Sequence, residues 1–290
     1  MTHPSRQLPV SPALAPLYAR AVFGGRFKRS SRAPGAQRVT VLGQHVDGDR
    51  LAAYQRLCGF RVSDVVPPTY LHLVAFPLSL ARMTEADFPF PVLGLVHVQN
   101  AITQFRPVRL GEVVDVEVWA ADLRPHPAGQ QIDLVSQASV DGQVVWGERS
   151  TYLRRGHSAD RDRRTAGRAD HHPASASTAP VLRWPVPRDI GRRYAAISGD
   201  RNPIHLHALT AKAFGFPRAL AHGMWVKARA LAAFEGRLPD SFTVEAAFKT
   251  PVFVGSAVEM SAEPSPDGWA FEVRDVRTAK PHLRAQLVAG

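Results

Sequence analysis

Cysteine is almost missing: Cys58 stands alone in 290 residues. One thiol forms no internal disulfide, and no companion ligand sits at a useful spacing from it. A disulfide framework and a cysteine-based metal site are therefore excluded, and a reducing compartment, the cytoplasm, is expected. Long apolar runs are missing too. Arg, Lys, Asp or Pro interrupts every stretch short of the ~20 residues that a membrane-spanning helix needs. The weakly apolar patch at residues 13–23 contains Arg20 and runs into Arg26, Lys28 and Arg29. It is not expected to be a secretion signal.

The composition is otherwise that of a core-forming protein, 45% hydrophobic and 21% charged, with a formal net charge of +11. The positive surplus favours an anionic partner. Nucleic acid is not expected, because no zinc-ligand pattern, helix-turn-helix or aromatic RNA-binding strand is present. Metal is not expected either. His205 and His207 at spacing two, and the adjacent His171 and His172, lack the separated ligand sets of zinc sites.

Residues 156–180 are polar, Ala/Ser/Pro-rich and aperiodic, and read as a basic flexible linker. Residues 1–36 read as an N-terminal extension with a short helix near 13–22. The flanks, 37–155 and 181–290, look like two copies of one unit. The run Phe105-Arg-Pro-Val-Arg-Leu-Gly111 matches Lys249-Thr-Pro-Val-Phe-Val-Gly255. Each copy then enters alternating strands. In the first half these are residues 113–118, 131–139 and 144–153; in the second they are 257–262, 269–276 and 283–288. Helical segments precede the strands in each half, which indicates α+β rather than a parallel βαβ order. A largely apolar helix over 220–234 belongs inside the protein. A sheet wrapped round such a helix, twice, makes a double hotdog packed as a pseudo-dimer. The first-half counterpart, near 70–81, carries Pro67, Pro68 and Pro77, and a broken helix there would leave space for a bulky group.

The chemistry-bearing segment is Tyr194-Ala-Ala-Ile-Ser-Gly-Asp-Arg-Asn-Pro-Ile-His205. A helix over 190–197, with Asp189 as N-cap, should stop at Ser198-Gly199. Asp200 and His205 then share a compact loop shaped by Asn202 and Pro203, and a second short helix over 209–214 closes at Gly215. A carboxylate and an imidazole on one rigid loop can hold water and move its protons. Downstream, Ala221-His222-Gly223-Met224 opens the buried helix. Gly223 there can bring a backbone N–H close to a developing negative charge. Taken singly, Asp200 fits a turn former, His205 and His222 fit packed histidines, and Tyr194 and Ser198 fit core and helix-end residues. His97, Asn100 and Arg106 are either structural or line an entrance.

Together these residues resemble the MaoC-like (R)-specific enoyl-thioester hydratases and (3R)-hydroxyacyl-thioester dehydratases. Tyr194, Ser198-Gly199-Asp200, Asn202-Pro203, His205 and Ala221-His222-Gly223-Met224 stand in the family order. The likeness is greatest to the long, double-hotdog mycobacterial type, over residues 40–290 at fold level, with the specific motif confined to 194–224. It implies a cofactor-independent hydro-lyase acting on coenzyme A or acyl-carrier-protein thioesters in fatty-acid metabolism. Asp200 and His205 would be the catalytic dyad and Gly223 the oxyanion hole, with Tyr194, Ser198, Gly199, Asn202, Pro203 and His222 in support. An acidic acyl carrier protein is an expected partner, and a monomer or a homodimer fits. His207-Ala208 departs from the family pattern, which often has an Asp or Asn cap followed by Pro. A hotdog thioesterase and a non-catalytic acyl-thioester binder are the alternatives. Sliding the second copy back 140 positions sets Tyr194 on Tyr54, Ser198 on Cys58, Gly199 on Gly59, Asp200 on Phe60 and His205 on Val65. The first copy lacks the dyad, so one active site per chain is expected.

Overall fold

The structure, a computed structural model, describes residues 5–24, 34–35, 37–156 and 181–290. The expected linker therefore lies, from residue 157 on, outside the described residues, as does much of 1–36. In chain order the first part contains β1 (Ser5–Leu8), α1 (Leu14–Gly24), β2 (Arg38–His45), α2 (Gly48–Cys58), β3 (Val65–Val66), α3 (Pro68–Thr84), β4 (Leu95–Gln104), β5 (Val108–Arg109), β6 (Val113–His126), β7 (Gly129–Val140) and β8 (Gln143–Arg155). The second contains β9 (Val181–Pro185), α4 (Ile190–Ser198), α5 (Pro203–Leu206), α6 (Ala208–Ala213), α7 (Gly223–Ala232), β10 (Phe242–Phe248), β11 (Ala257–Ser265), β12 (Gly268–Asp275) and β13 (Pro281–Ala289). Among the described residues no helix is long and apolar enough to cross a membrane.

The expected strands form because their period-two patterns bury one face. In β6, Val114, Val116, Val118 and Ala120 are buried, while Asp115 and Glu117 point the other way. The architecture is α+β, as expected, with helices α3 and α7 packed on the strands of their own halves. The two sheets are also continuous. Eleven strands run in the order β1-β2-β6-β7-β8-β4-β10-β13-β12-β11-β9, and the halves join where β4 pairs antiparallel with β10. The offset that aligns Pro107 with Pro251 carries Ala101 onto Glu245, and these two residues face each other in that pairing. The repeat is thus built as a pseudo-two-fold. The Tyr54 and Tyr194 rings, equivalent in the helical part of the repeat, meet with centroids 6.3 Å apart. The helices that carry them, α2 and α4, each end on a left-handed glycine, Gly59 at φ 81° and Gly199 at φ 79°.

Two expectations need correction. The first-half helix is not broken: α3 runs unbroken over 17 residues and buries Tyr70, Leu71, Leu73, Leu78 and Leu80. Pro67 is its cap and Pro68 its first residue, positions where a missing N–H costs nothing. Pro77 is interior, at a cost of about 3 kcal/mol, which the burial of two of those leucines is enough to offset. The second-half helix is shorter than expected, because α7 begins only at Gly223. Residues 219–221 are held extended instead, with Leu220 N–H on Ile204 O, Ala221 N–H on Val252 O and Val254 N–H on Ala219 O.

A buried polar cluster crosses the joint between the halves. Lys227 of α7 is wholly buried and its ammonium donates to Asn100 Oδ1, to Asn100 O at 3.0 Å and to Val244 O at 3.1 Å. Asn100 in turn donates to Glu148, whose carboxylate lies 2.8 Å from His72 Nδ1. Asn100 is therefore structural. Lys227→Met keeps the stem and strips the donors from three oxygens, so it should lower unfolding free energy by about 2 kcal/mol. Denaturant titration checks this, and an unshifted midpoint would show that the cluster contributes nothing net.

Candidate active site

Gly199 ends α4 in the left-handed conformation, and the turn that follows delivers Asp200. Ser198 Oγ accepts from Asp200 N–H at 3.1 Å, and Asp200 Oδ1 accepts from Asn202 N–H at 3.1 Å. Asp189 makes no side-chain cap, and Arg193 reaches it only at 3.9 Å. The segment after Asp200 is more regular than the expected loop. Asn202 caps α5 by accepting from Ile204 N–H, Pro203 is its first residue, and His205 rides on that turn. The unusual His207 caps α6 without a side-chain bond. The Thr210 hydroxyl lies 2.6 Å from Pro203 O and 2.9 Å from His207 O, tying the two turns together.

Two carbonyls settle the histidine tautomers, because a carbonyl oxygen only accepts. His205 Nδ1 lies 3.0 Å from Leu220 O, so the proton is on Nδ1 and Nε2 keeps its lone pair. His222 Nε2 lies 3.0 Å from Asp200 O and donates to it. His222 stands at the N-cap of α7 but caps nothing. Its ring instead stacks on His205, centroids 3.7 Å apart, and packs against Tyr194 at 4.8 Å. The Tyr194 hydroxyl is buried without a hydrogen-bond partner among the described residues.

These contacts also set the charges. Burial would raise the Asp200 pKa, but His222, His205 and the Asn202 N–H outweigh it and hold the carboxyl below its usual value. Burial lowers His205, with Asp200 pulling partly back, and takes His222 down to about 3. The site thus sets a carboxyl held below its usual value beside imidazoles whose charged form burial disfavours. Asp200, His205 and His222 each place a ligand atom within 4.8 Å of the other two. That set is invisible in sequence spacing because His222 comes from another element.

A cavity of about 370 Å³ opens onto this cluster. Asp200, Asn202, His205, Gly223 and Phe248 line it from the second half, and His72, Leu73, Phe76, His97 and Tyr152 from the first. The room expected from a broken helix therefore lies beside an intact one. Gly223 is the first residue of α7, whose leading N–H groups have no intrahelical acceptor. A Cβ there would stand 2.9 Å from the Phe248 ring. His97 is half-buried, its ring 4.8 Å from Tyr152, and desolvation with His72 takes its pKa to about 3. It lines the cavity as a neutral ring. Arg106 does not take part; it pairs with Glu112 at 2.8 Å. In the first half, Phe60 is buried in the core and Val65 lies in β3.

Three participants had no signal in the sequence. Gly191 in α4 lies against the His205 carbonyl, where a Cβ would sit 2.0 Å from the oxygen. Arg50 of α2 donates to Ile197 O at 2.8 Å and so fixes the end of α4 from the other half. Tyr18 of α1 reaches the Asp200 turn itself.

A family model described as MaoC like domain matches residues 167–286. The 3-hydroxyacyl-thioester dehydratase X of Mycobacterium tuberculosis is 36% identical over 253 residues, 86% of this chain and 88% of that protein. The crystal structure of HtdX from the same organism superposes with a TM-score of 0.75 at 35% identity, covering 87% of this chain and all of that one (100%). Another M. tuberculosis protein, described as having a double hotdog fold, matches with a TM-score of 0.55 at 15% identity, over 85% of this chain and 93% of that one. At that identity the likeness is one of fold.

Proposed function

The chain belongs to the MaoC-like dehydratase family, and from that premise we propose that it interconverts (3R)-3-hydroxyacyl and trans-2-enoyl thioesters by adding or removing water. The observation that carries the proposal is the placement of the Asp200 carboxyl and the free Nε2 of His205 within 4.8 Å of each other at one cavity. In hydration, Asp200 is the principal base that activates the water for attack at C3. His205 orients the water and shares the proton transfer, and the charge that develops on the thioester oxygen is met by the N–H of Gly223 at the start of α7. Ser198, Asn202 and His222 support Asp200 through the bonds described, and Gly199 and Pro203 shape the chain on either side.

In this reading residues 181–290 are the catalytic half. Residues 37–155, without a dyad, supply the scaffold and the far wall of the cavity, and 156–180 link the two. Exposed Arg155 and Lys249 line the same cavity. They give the entrance a positive rim suited to the phosphates of coenzyme A or to an acidic carrier protein.

The direct test incubates the protein with crotonyl and longer enoyl coenzyme A thioesters and identifies the product. A hydroxyacyl thioester supports the proposal, whereas release of free thiol favours hydrolysis. The pH dependence is a second test. Activity needs Asp200 ionised and His205 neutral, and both pKa values lie below their ordinary 3.8 and 6.5. Activity is thus complete above both folded values and lost as pH falls through them. The acid limb of kcat/KM should lie below pH 6.5, and a limb centred at or above that value contradicts the assignment.

A further inference from the structure

We propose that Tyr18, which reaches the site from the N-terminal helix α1, is a positioning residue for Asp200. Its hydroxyl donates to Gly199 O at 3.0 Å and accepts from Arg201 N–H at 2.7 Å, so one oxygen ties the residues on both sides of Asp200. The same oxygen lies 3.5 Å from Asp200 Oδ1. Burial, and then the Asp200 carboxylate, push the phenol pKa upward, so the hydroxyl keeps the proton that Gly199 O accepts.

The approach is prepared from both sides. Gly199 carries no Cβ, and one placed there would stand 2.2 Å from Leu14 Cδ1 of α1. The glycine therefore serves the left-handed turn and also admits this helix. On the other side, Leu17 and Ala21 are buried and α1 packs on α3. Helix α1 thus spans from the first half to the catalytic turn of the second. The matched family region starts at residue 167, so Tyr18 lies outside it. Asp200 must hold a water against a bound substrate within a fraction of an ångström, and rate falls steeply when such a group drifts. Tyr18 limits that drift by pinning the backbone on each side. The inference rests on the reading of Asp200 as the water-activating base.

The test compares Tyr18→Phe with Asp200→Asn in the full chain, following hydration of crotonyl coenzyme A. The phenyl ring preserves the packing and removes only the hydroxyl. Tyr18→Phe is expected to lower kcat about tenfold with KM within about twofold of wild type and a melting temperature lowered by no more than a few degrees, too little to unfold the protein at the assay temperature. In an Asp200→Asn background it should have no further effect on kcat. A wild-type kcat for Tyr18→Phe, or a loss that follows the melting temperature, overturns the role of Tyr18 while an inactive Asp200→Asn leaves the base assignment standing. An active Asp200→Asn removes the base assignment and this inference with it.

Discussion

Asp200→Asn is expected to lower kcat for enoyl-thioester hydration by about 10³-fold while leaving the protein folded and cooperative in melting. The amide is nearly isosteric, and its oxygen can still accept the Asn202 N–H that Asp200 Oδ1 accepts now. The backbone contacts of the turn, Asp200 N–H on Ser198 Oγ and Asp200 O on His222, do not depend on the carboxylate. What disappears is the negative charge, which the Asn202 N–H helps to hold in place against burial. An amide has no useful basicity, so the loss should appear in kcat, with KM little changed. On the proposed roles, residual activity would come from Gly223 and His205, which would still orient the thioester and the water. Steady-state kinetics beside a melting curve checks this. A fall in melting temperature that accounts for the lost activity would assign Asp200 to folding.

The second large effect comes from a methyl group some distance from the chemistry. Helix propensity alone makes Gly191→Ala stabilising by up to about 1 kcal/mol, since Gly191 lies within α4. Packing reverses the sign. The new Cβ would sit 2.0 Å from His205 O, 3.0 Å from His205 C and 3.3 Å from Leu220 O. Relief requires the His205 carbonyl, and the backbone of His205 with it, to move by more than about 1 Å to reach ordinary contact distance, whereas Leu220 O need give only slightly. Misplacement of that size costs about 100-fold in rate. Gly191→Ala should therefore lose about 100-fold in kcat/KM together with several degrees of melting temperature. Wild-type kinetics with a raised melting temperature would show that the turn carrying His205 is softer than its contacts imply.

What was legible in the sequence follows from the range of the interactions involved. Strands β6, β7, β8, β11, β12 and β13 could be read because period-two burial is a local pattern. The end of α4 could be read because a glycine after a helix is a local signal, and it recurs at Gly59. Asp200, His205 and Gly223 stood out through their order along the chain, and the fold places them on one cavity. The errors arose where partners distant in sequence decide the outcome. Prolines beside α3 suggested a break, but two of them sit at its N-terminus and the third is stabilised by burial on both sides. Residues 220–222 looked helical, but pairing with 252–254 holds the first of them extended. Tyr18, Arg50 and Gly191 were invisible for the same reason. Each acts on the site through a neighbour supplied by folding: Gly199, Ile197 and His205.

The decisive comparison is the fall in conjugated ultraviolet absorbance of crotonyl coenzyme A with the wild-type chain beside Asp200→Asn and His205→Gln, with free thiol assayed in the same samples. The predicted result is a rapid fall with the wild type, little with either variant, and no thiol released. Unchanged rates in both variants, or thiol appearing as fast as absorbance is lost, would contradict it.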